Sequence, residues 1–120
     1  MEARTINRYL ERYYQIREDT TKKNYIIEDP LFIKLEAYAK YYEATMTQIV
    51  NLAIKRLIET EEIRLYEKKP NTRVFTHTFS IRESNIEGLE NLSEKYGLSI
   101  YKLVNIALNN LIRIEEEKEN

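Results

Sequence analysis

The residues of this chain best suited to chemistry are the polar side chains that alternate with apolar ones in residues 76–81, Thr-His-Thr-Phe-Ser-Ile. This two-residue period predicts a half-buried strand with Thr76, Thr78 and Ser80 on one face. Their hydroxyl groups offer hydrogen bonds to a ligand, although such residues are also ordinary solvent-exposed strand formers. Residues 22–27, Lys-Lys-Asn-Tyr-Ile-Ile, occupy the matching place earlier in the chain. Because one short strand is not stable alone, we expect the two to pair as an antiparallel ribbon with one apolar and one polar face.

The two stretches belong to an internal repeat with a period of 54 residues, in which many positions carry identical or similar residues. Residues 22–59 correspond to residues 76–113 without a gap. The identical pairs are Ile27/Ile81, Leu35/Leu89, Glu36/Glu90, Tyr42/Tyr96, Val50/Val104, Asn51/Asn105, Ala53/Ala107, Leu57/Leu111 and Ile58/Ile112. A period of this length predicts a duplicated supersecondary unit, with one copy in residues 22–66 and the other in residues 74–114.

Signals for a first helix follow each predicted strand. Asp29 with Pro30 predicts a helix start in the first copy, and the capping box Ser84–Glu87 predicts one in the second. Each helix should span about 13 residues. Gly97 should end the second as a left-handed cap, whereas Glu43 at the matching place predicts a strained cap or a different turn. The expected buried residues are Phe32, Leu35, Tyr38 and Tyr42, and Ile86, Leu89, Leu92 and Tyr96.

A second, longer helix is predicted in each copy by the capping box Thr45–Gln48 and by Ser99 at the matching position. The apolar stripes of these helices are too broad for one neighbour, so each should bury against its own first helix and against its twin. In the first copy we expect the helix to continue to about Ile63 or Tyr66, before a linker over residues 67–73. The repeated Asn51 and Asn105 are interpreted as solvent-facing or helix-pairing groups.

Composition restricts the class of protein. The chain has 120 residues, of which 42% are apolar and 32% charged, with a net charge of −1 and no cysteine, as expected for one globular domain. No apolar run approaches the roughly 20 residues of a membrane span, and the charged N-terminus does not resemble a signal peptide, so we expect a cytoplasmic protein. Two glycines cannot form a phosphate-cradling loop, and the single histidine, His77, falls on the apolar strand face as a packing residue. Neither an enzyme nor a cofactor or metal site is therefore predicted.

The two ends of the chain lie outside the repeat. Residues 1–21 form an N-terminal arm in which residues 5–18 carry the apolar spacing of a helix, with arginines off the apolar stripe. This accessory helix has two interpretations, a packing or dimerising helix and an arm that contacts nucleic acid. Residues 115–120 form an acidic tail, interpreted as a solvated helix end.

The order strand, helix, tight turn and longer helix, present twice, resembles the ribbon-helix-helix family of Arc, MetJ and CopG repressors. The residues that carry the resemblance are Thr78–Glu83, the turn Gly97–Ser99 and the helix Leu103–Leu111, with looser matches in Asn24–Asp29 and Thr45–Ile58. Family members combine two separate chains, and here both units would lie in one polypeptide as a tandem duplication. The expected fold is mostly α with a two-stranded antiparallel ribbon, an intramolecular pseudo-dimer that is preceded by an N-terminal helix.

The resemblance implies a sequence-specific double-stranded DNA-binding protein, most simply a transcriptional repressor, with the ribbon in the major groove. The base-reading residues that it implies are Lys22, Asn24, Ile26, Thr76, Thr78 and Ser80. The phosphate contacts that it implies are Thr45, Met46, Thr47, Ser99, Ile100 and Tyr101, with Lys68, Lys69 and Arg73 adding sequence-independent contacts. Asn24 suits adenine, and Ile26 and the threonine methyl groups suit thymine, which predicts an A·T-leaning and non-palindromic site.

Alternative functions remain open on the same fold. One is a protein-interaction or scaffold module, antitoxin-like, that binds through the N-terminal helix or the acidic tail. Another is a plasmid or viral partition or copy-control DNA binder. The near-neutral net charge and the absence of arginine from the polar strand face favour the interaction module. Self-association is expected either through the N-terminal helix or side by side on DNA.

Overall fold

The computed structural model of the protein describes residues 18–118, so nearly all of the predicted N-terminal helix lies outside the described residues. Within them the element order is β1 (Thr20–Glu28), α1 (Asp29–Tyr41), α2 (Met46–Thr60), β2 (Val74–Arg82), α3 (Glu83–Tyr96) and α4 (Ile100–Lys118). The described part of the chain is thus mostly helical, with a single two-stranded sheet. This confirms the predicted order of strand, helix and longer helix, present twice.

The two strands pair antiparallel along their whole length, with Thr20 opposite Arg82 and Glu28 opposite Val74. The alternation predicted from the sequence is confirmed, because Tyr25, Ile27, Phe79 and Ile81 turn into the core. Residues at the intervening positions face away from it, except Glu28 and Arg82 at the strand ends, which are buried. The ribbon therefore has one apolar face against the helices and one outward face.

The core lies between the apolar ribbon face and the two longer helices. α2 and α4 contact each other, and each also contacts both shorter helices and a strand, as the breadth of their apolar stripes predicted. Fully buried side chains on these helices contribute about 1.5–3 kcal/mol each through the hydrophobic effect. The largest of them are Ile49, Leu52, Ile54, Leu57, Leu103, Ile106 and Leu108.

Three predicted helix caps are confirmed, two at helix starts and one at a helix end. The Thr45 side chain accepts from the Gln48 amide at 3.1 Å and the Gln48 side chain accepts from the Thr45 amide at 2.9 Å, which confirms the capping box. The Ser99 hydroxyl accepts from the Lys102 amide at 3.1 Å. Gly97 ends α3 in the left-handed region with φ +66°. Glu43 adopts φ +55° at the matching place, a conformation that strains a residue with a Cβ, as predicted.

The predicted starts of the first helices are wrong, by one residue in the first copy and by two in the second. α1 and α3 begin at Asp29 and Glu83, with no side-chain cap at either N-cap residue. The capping box Ser84–Glu87 does not form, because Ser84 already lies inside the helix. The next residue, Asn85, is buried and donates to the side-chain oxygen and the backbone carbonyl of Asn51. The first residue of each helix bonds instead to the residue just before the opposite strand. The amides of Asp29 and Glu83 donate to the carbonyls of Arg73 and Asp19 at 2.9 and 3.0 Å.

Two expectations about helix ends and burial are also wrong. α2 stops at Thr60 rather than near residue 63 or 66, because Glu61 takes the left-handed conformation. The chain beyond it runs without regular structure, and Tyr66 packs against the core with its hydroxyl on Glu28 at 2.9 Å. Tyr96 is 40% exposed rather than buried. Its hydroxyl donates to Glu61, so a polar partner outside the core holds it at the surface.

Residues 115–118 of the expected acidic tail are part of α4, which continues to Lys118. Glu115 is only 3% exposed and accepts a hydrogen bond from the Tyr42 hydroxyl. Burial and this contact raise the pKa of Tyr42 far above its ordinary value. The first residue of the expected solvated tail therefore belongs to the packed interior.

Gly88 permits a close approach between α3 and α2. A Cβ built there would lie 2.3 Å from Ile58 Cδ1 and 2.8 Å from Ile58 Cγ1. We expect Gly88→Ala to lower the free energy of unfolding by about 1–3 kcal/mol through overpacking, which outweighs the gain of about 1 kcal/mol in helix propensity. In an Ile58→Ala background the same substitution should be neutral or stabilising. Urea unfolding of the four variants measures this, and an equal cost in both backgrounds would contradict it.

Candidate nucleic-acid interface

The outward face of the ribbon carries all six residues predicted to read bases. They lie opposite one another in three cross-strand pairs, Lys22–Ser80, Asn24–Thr78 and Ile26–Thr76. Five of the six are exposed, and Ser80 is half-buried. The ribbon therefore presents amide, hydroxyl, ammonium and methyl groups in a row, which are the groups that contact base edges in a major groove.

The first turns of α2 and α4 hold the predicted phosphate contacts. Thr45 and Ser99 are occupied as caps, since their side-chain oxygens accept from Gln48 and Lys102. The amides of the first turn of a helix have no acceptor within the helix and favour an anion. Those amides belong to Met46 and Thr47 in α2 and to Ile100 and Tyr101 in α4.

Two buried asparagines tie these helices to the ribbon. Asn51 donates to the Ser80 carbonyl at 2.9 Å and accepts from the Arg82 amide at 2.9 Å. Asn105 makes the same two bonds to β1, donating to the Ile26 carbonyl at 2.8 Å and accepting from the Glu28 amide at 2.9 Å. Each asparagine thus holds the strand of the other half of the chain, one turn away from the helix start on which the phosphate contacts were predicted.

The interpretation of Asn51 and Asn105 as solvent-facing groups is wrong, whereas the alternative of a helix-pairing group holds for Asn51, which accepts from Asn85 of α3. Both are 1% exposed, and each bonds a carbonyl and an amide of a strand backbone. These bonds were not predicted from the sequence. A signal was present, because an asparagine repeated within an otherwise apolar helix stripe must find partners if it is buried. Both side chains are therefore used to bond the ribbon to the helices.

The predicted cations at the ribbon are exposed, but only one of them belongs to the outward face. Lys22 lies on that face, whereas Lys68, Lys69 and Arg73 lie in the segment that precedes β2. The Arg73 backbone carbonyl accepts from the Asp29 amide at 2.9 Å, which fixes the end of this segment beside the start of α1. The outward face therefore contains one formal positive charge and no carboxylate among its six residues.

The two halves of the chain differ on the apolar face of the ribbon. His77 stacks on Phe32 with ring centroids 3.9 Å apart and an angle of 6° between the rings, which confirms it as a packing residue. At the matching positions Lys23 and Ile86 leave a groove of about 280 Å³ beside the start of α4. Tyr25 lines this groove, and burial, with the nearby charge of Glu90, raises the pKa of Tyr25 to about 12.

Two further features are absent from residues 18–118. No group of three or more histidine, cysteine or carboxylate side chains in this range is arranged to hold a metal ion. None of the helices described there combines the length and hydropathy that crossing a membrane requires.

Comparison of the chain with protein-family models, with curated proteins and with solved structures found no match.

Proposed function

We propose that the chain is a sequence-specific double-stranded DNA-binding protein, most simply a transcriptional repressor, that places its ribbon in the major groove. The observation that carries the proposal is the exposed outward face of three cross-strand pairs, with two helix starts tied to the same ribbon by Asn51 and Asn105. A two-stranded ribbon fits the major groove. Helix N-termini on either side can receive the phosphates that flank it.

In this proposal the two halves are copies of one ribbon-helix-helix unit that form a pseudo-dimer within one chain. The strand register supports it, because Asn24 and Thr78 lie opposite each other and are also 54 residues apart, the period of the sequence repeat. The equivalent bonds of Asn51 and Asn105 support it as well. An approximate two-fold axis would then pass through the Asn24–Thr78 pair.

A pseudo-dimer within one chain predicts that folding does not require a second molecule. We expect the midpoint of urea unfolding to be unchanged when protein concentration is varied a hundredfold, because both strands of the ribbon come from one polypeptide. Unfolding curves at the two ends of the range measure this. A midpoint that rises steeply with concentration would show that the ribbon is completed between chains.

The proposal is tested by selecting bound sites from random duplex DNA and titrating the best site with salt. The pairs on the ribbon differ in chemistry, so the selected site should be non-palindromic, and Ile26 with the threonine methyl groups should make it A·T-leaning outside its centre. With about four phosphate contacts, affinity should fall about a hundredfold between roughly 50 and 200 mM salt. Failure to enrich any sequence, or binding that ignores salt, would contradict the proposal.

A second function, a protein-interaction or scaffold module, is favoured by one observation. The outward face carries a single cation, and Ile26, Val74 and Phe75 are exposed at one end of the ribbon. An apolar, weakly charged face is typical of a protein partner rather than of a polyanion. The site selection separates the two functions, because an interaction module would enrich no DNA sequence. A role in plasmid or viral partition or copy control would share the DNA interface and differ only in the sites it binds.

A further inference from the structure

The central pair of the ribbon is joined by a hydrogen bond between its side chains. The Thr78 hydroxyl donates to the Asn24 amide oxygen Oδ1 at 2.5 Å. Both residues are exposed on the outward face, so this bond lies where the proposed DNA contact is made. The bond joins the two halves of the chain. Asn24 and Thr78 are equivalent residues of the repeat, and they lie opposite each other on the two strands.

This bond sets which end of the Asn24 amide is available to a base. An asparagine that pairs with adenine must both donate from Nδ2 and accept at Oδ1. Here Oδ1 already accepts from the Thr78 hydroxyl, which uses one of its two lone pairs, whereas both Nδ2 hydrogens remain to donate to a base. An amide presented in this way matches base edges that accept hydrogen bonds.

Guanine offers two adjacent acceptors in the major groove, N7 and O6, whereas adenine places a donor beside its N7. We propose that Asn24 and Thr78 act as one donor-presenting reader that selects guanine at the central base pair, with Thr78 as a positioning residue. This inference rests on the proposed DNA-binding function and revises the expectation that Asn24 pairs with adenine. It adds one guanine to a site that is otherwise A·T-leaning.

The test is base preference at the position read by Asn24, defined as the base pair whose preference disappears in Asn24→Ala. The unaltered protein should prefer guanine to adenine there by about tenfold. Thr78→Val removes the hydroxyl but keeps the branched shape of the side chain, so it should free Oδ1 and move the preference to adenine. Replacing the central guanine with 7-deazaguanine removes the N7 acceptor and should weaken binding by the unaltered protein about tenfold.

Thr76→Val is the matched control, because Thr76 lies on the same face opposite Ile26, which has no amide to orient. Because Thr76 is itself proposed to read a neighbouring base pair, the variant should change base preference only there and leave the preference at the central pair unchanged. A measurement without DNA accompanies it: the Asn24 side-chain amide signals in the NMR spectrum should shift in Thr78→Val and not in Thr76→Val. Unmoved signals would overturn the positioning role.

The outcomes separate the inference from the function on which it rests. Binding with adenine preferred by both the unaltered protein and Thr78→Val would overturn the inference and leave DNA binding intact. Absence of binding to every duplex would overturn the proposed function and the reader together.

Discussion

Replacing Asn51 with alanine is expected to lower the free energy of unfolding by about 3 kcal/mol, because each buried polar group left without a partner costs about 1–3 kcal/mol. The substitution removes the acceptor of the Arg82 amide and the donor to the Ser80 carbonyl, and it removes one acceptor of the buried Asn85 side chain. Urea unfolding followed by circular dichroism measures the change. Asn105→Ala should cost a similar amount, since it removes the same two bonds to β1.

The matched control is Asn91→Ala, which changes the same residue type at an exposed position of α3. It should alter the free energy of unfolding by no more than about 0.5 kcal/mol. If Asn51→Ala and Asn91→Ala had equal effects, the ribbon would not depend on these helix asparagines for its position.

Replacing Lys102 with glutamate is expected to abolish most DNA binding while leaving the fold as stable as before or more so. Lys102 is exposed in the first turn of α4, three residues after the cap Ser99. A glutamate there completes a capping box and favours the helix dipole, together worth about 0.5–1 kcal/mol of stability. The same carboxylate would face the DNA phosphate proposed to bind this helix start, so affinity should fall more than tenfold. Fluorescence anisotropy with the selected duplex measures the loss of affinity, and urea unfolding measures the change in stability.

Two variants separate the location of the charge from its sign. Lys102→Gln removes the cation without adding an anion and should have an intermediate effect on affinity. Arg113→Glu makes the same change in charge, but Arg113 lies thirteen residues beyond Ile100 on α4. At a rise of about 1.5 Å per residue, Arg113 is about 20 Å from the helix start that holds Lys102, so the variant should keep most of its DNA affinity. Equal losses in Arg113→Glu and Lys102→Glu would point to overall charge rather than to a phosphate contact.

The sequence predicted much of this fold because its signals were local and occurred twice. Alternation in residues 76–81 gave the strand face correctly, and the apolar stripes identified α2 and α4 as the helices with most neighbours. The caps at Thr45, Ser99 and Gly97 depend on residues within a few positions of each other. Such interactions can be recognised without knowing the tertiary structure.

The sequence could not predict features that depend on contacts between distant residues. The starts of α1 and α3 are set by carbonyls of Arg73 and Asp19, which lie far away in sequence. The end of α2 depends on Glu61 adopting a left-handed conformation that its residue type does not favour. Of the candidate site, the outward residues were predicted, whereas the asparagines that fix the helix starts to the ribbon and the Thr78–Asn24 bond were not.

The most direct test of the account is an NMR titration of the protein with the duplex obtained by site selection. We expect the largest shifts of backbone amide signals on the outward strand positions, Lys22, Asn24 and Ile26 with their partners on β2, and in the first turns of α2 and α4. The ends of those helices, near Thr60 and Lys118, should change little. Shifts confined to other surfaces, with the outward ribbon residues unchanged, would contradict the claim that this ribbon binds DNA.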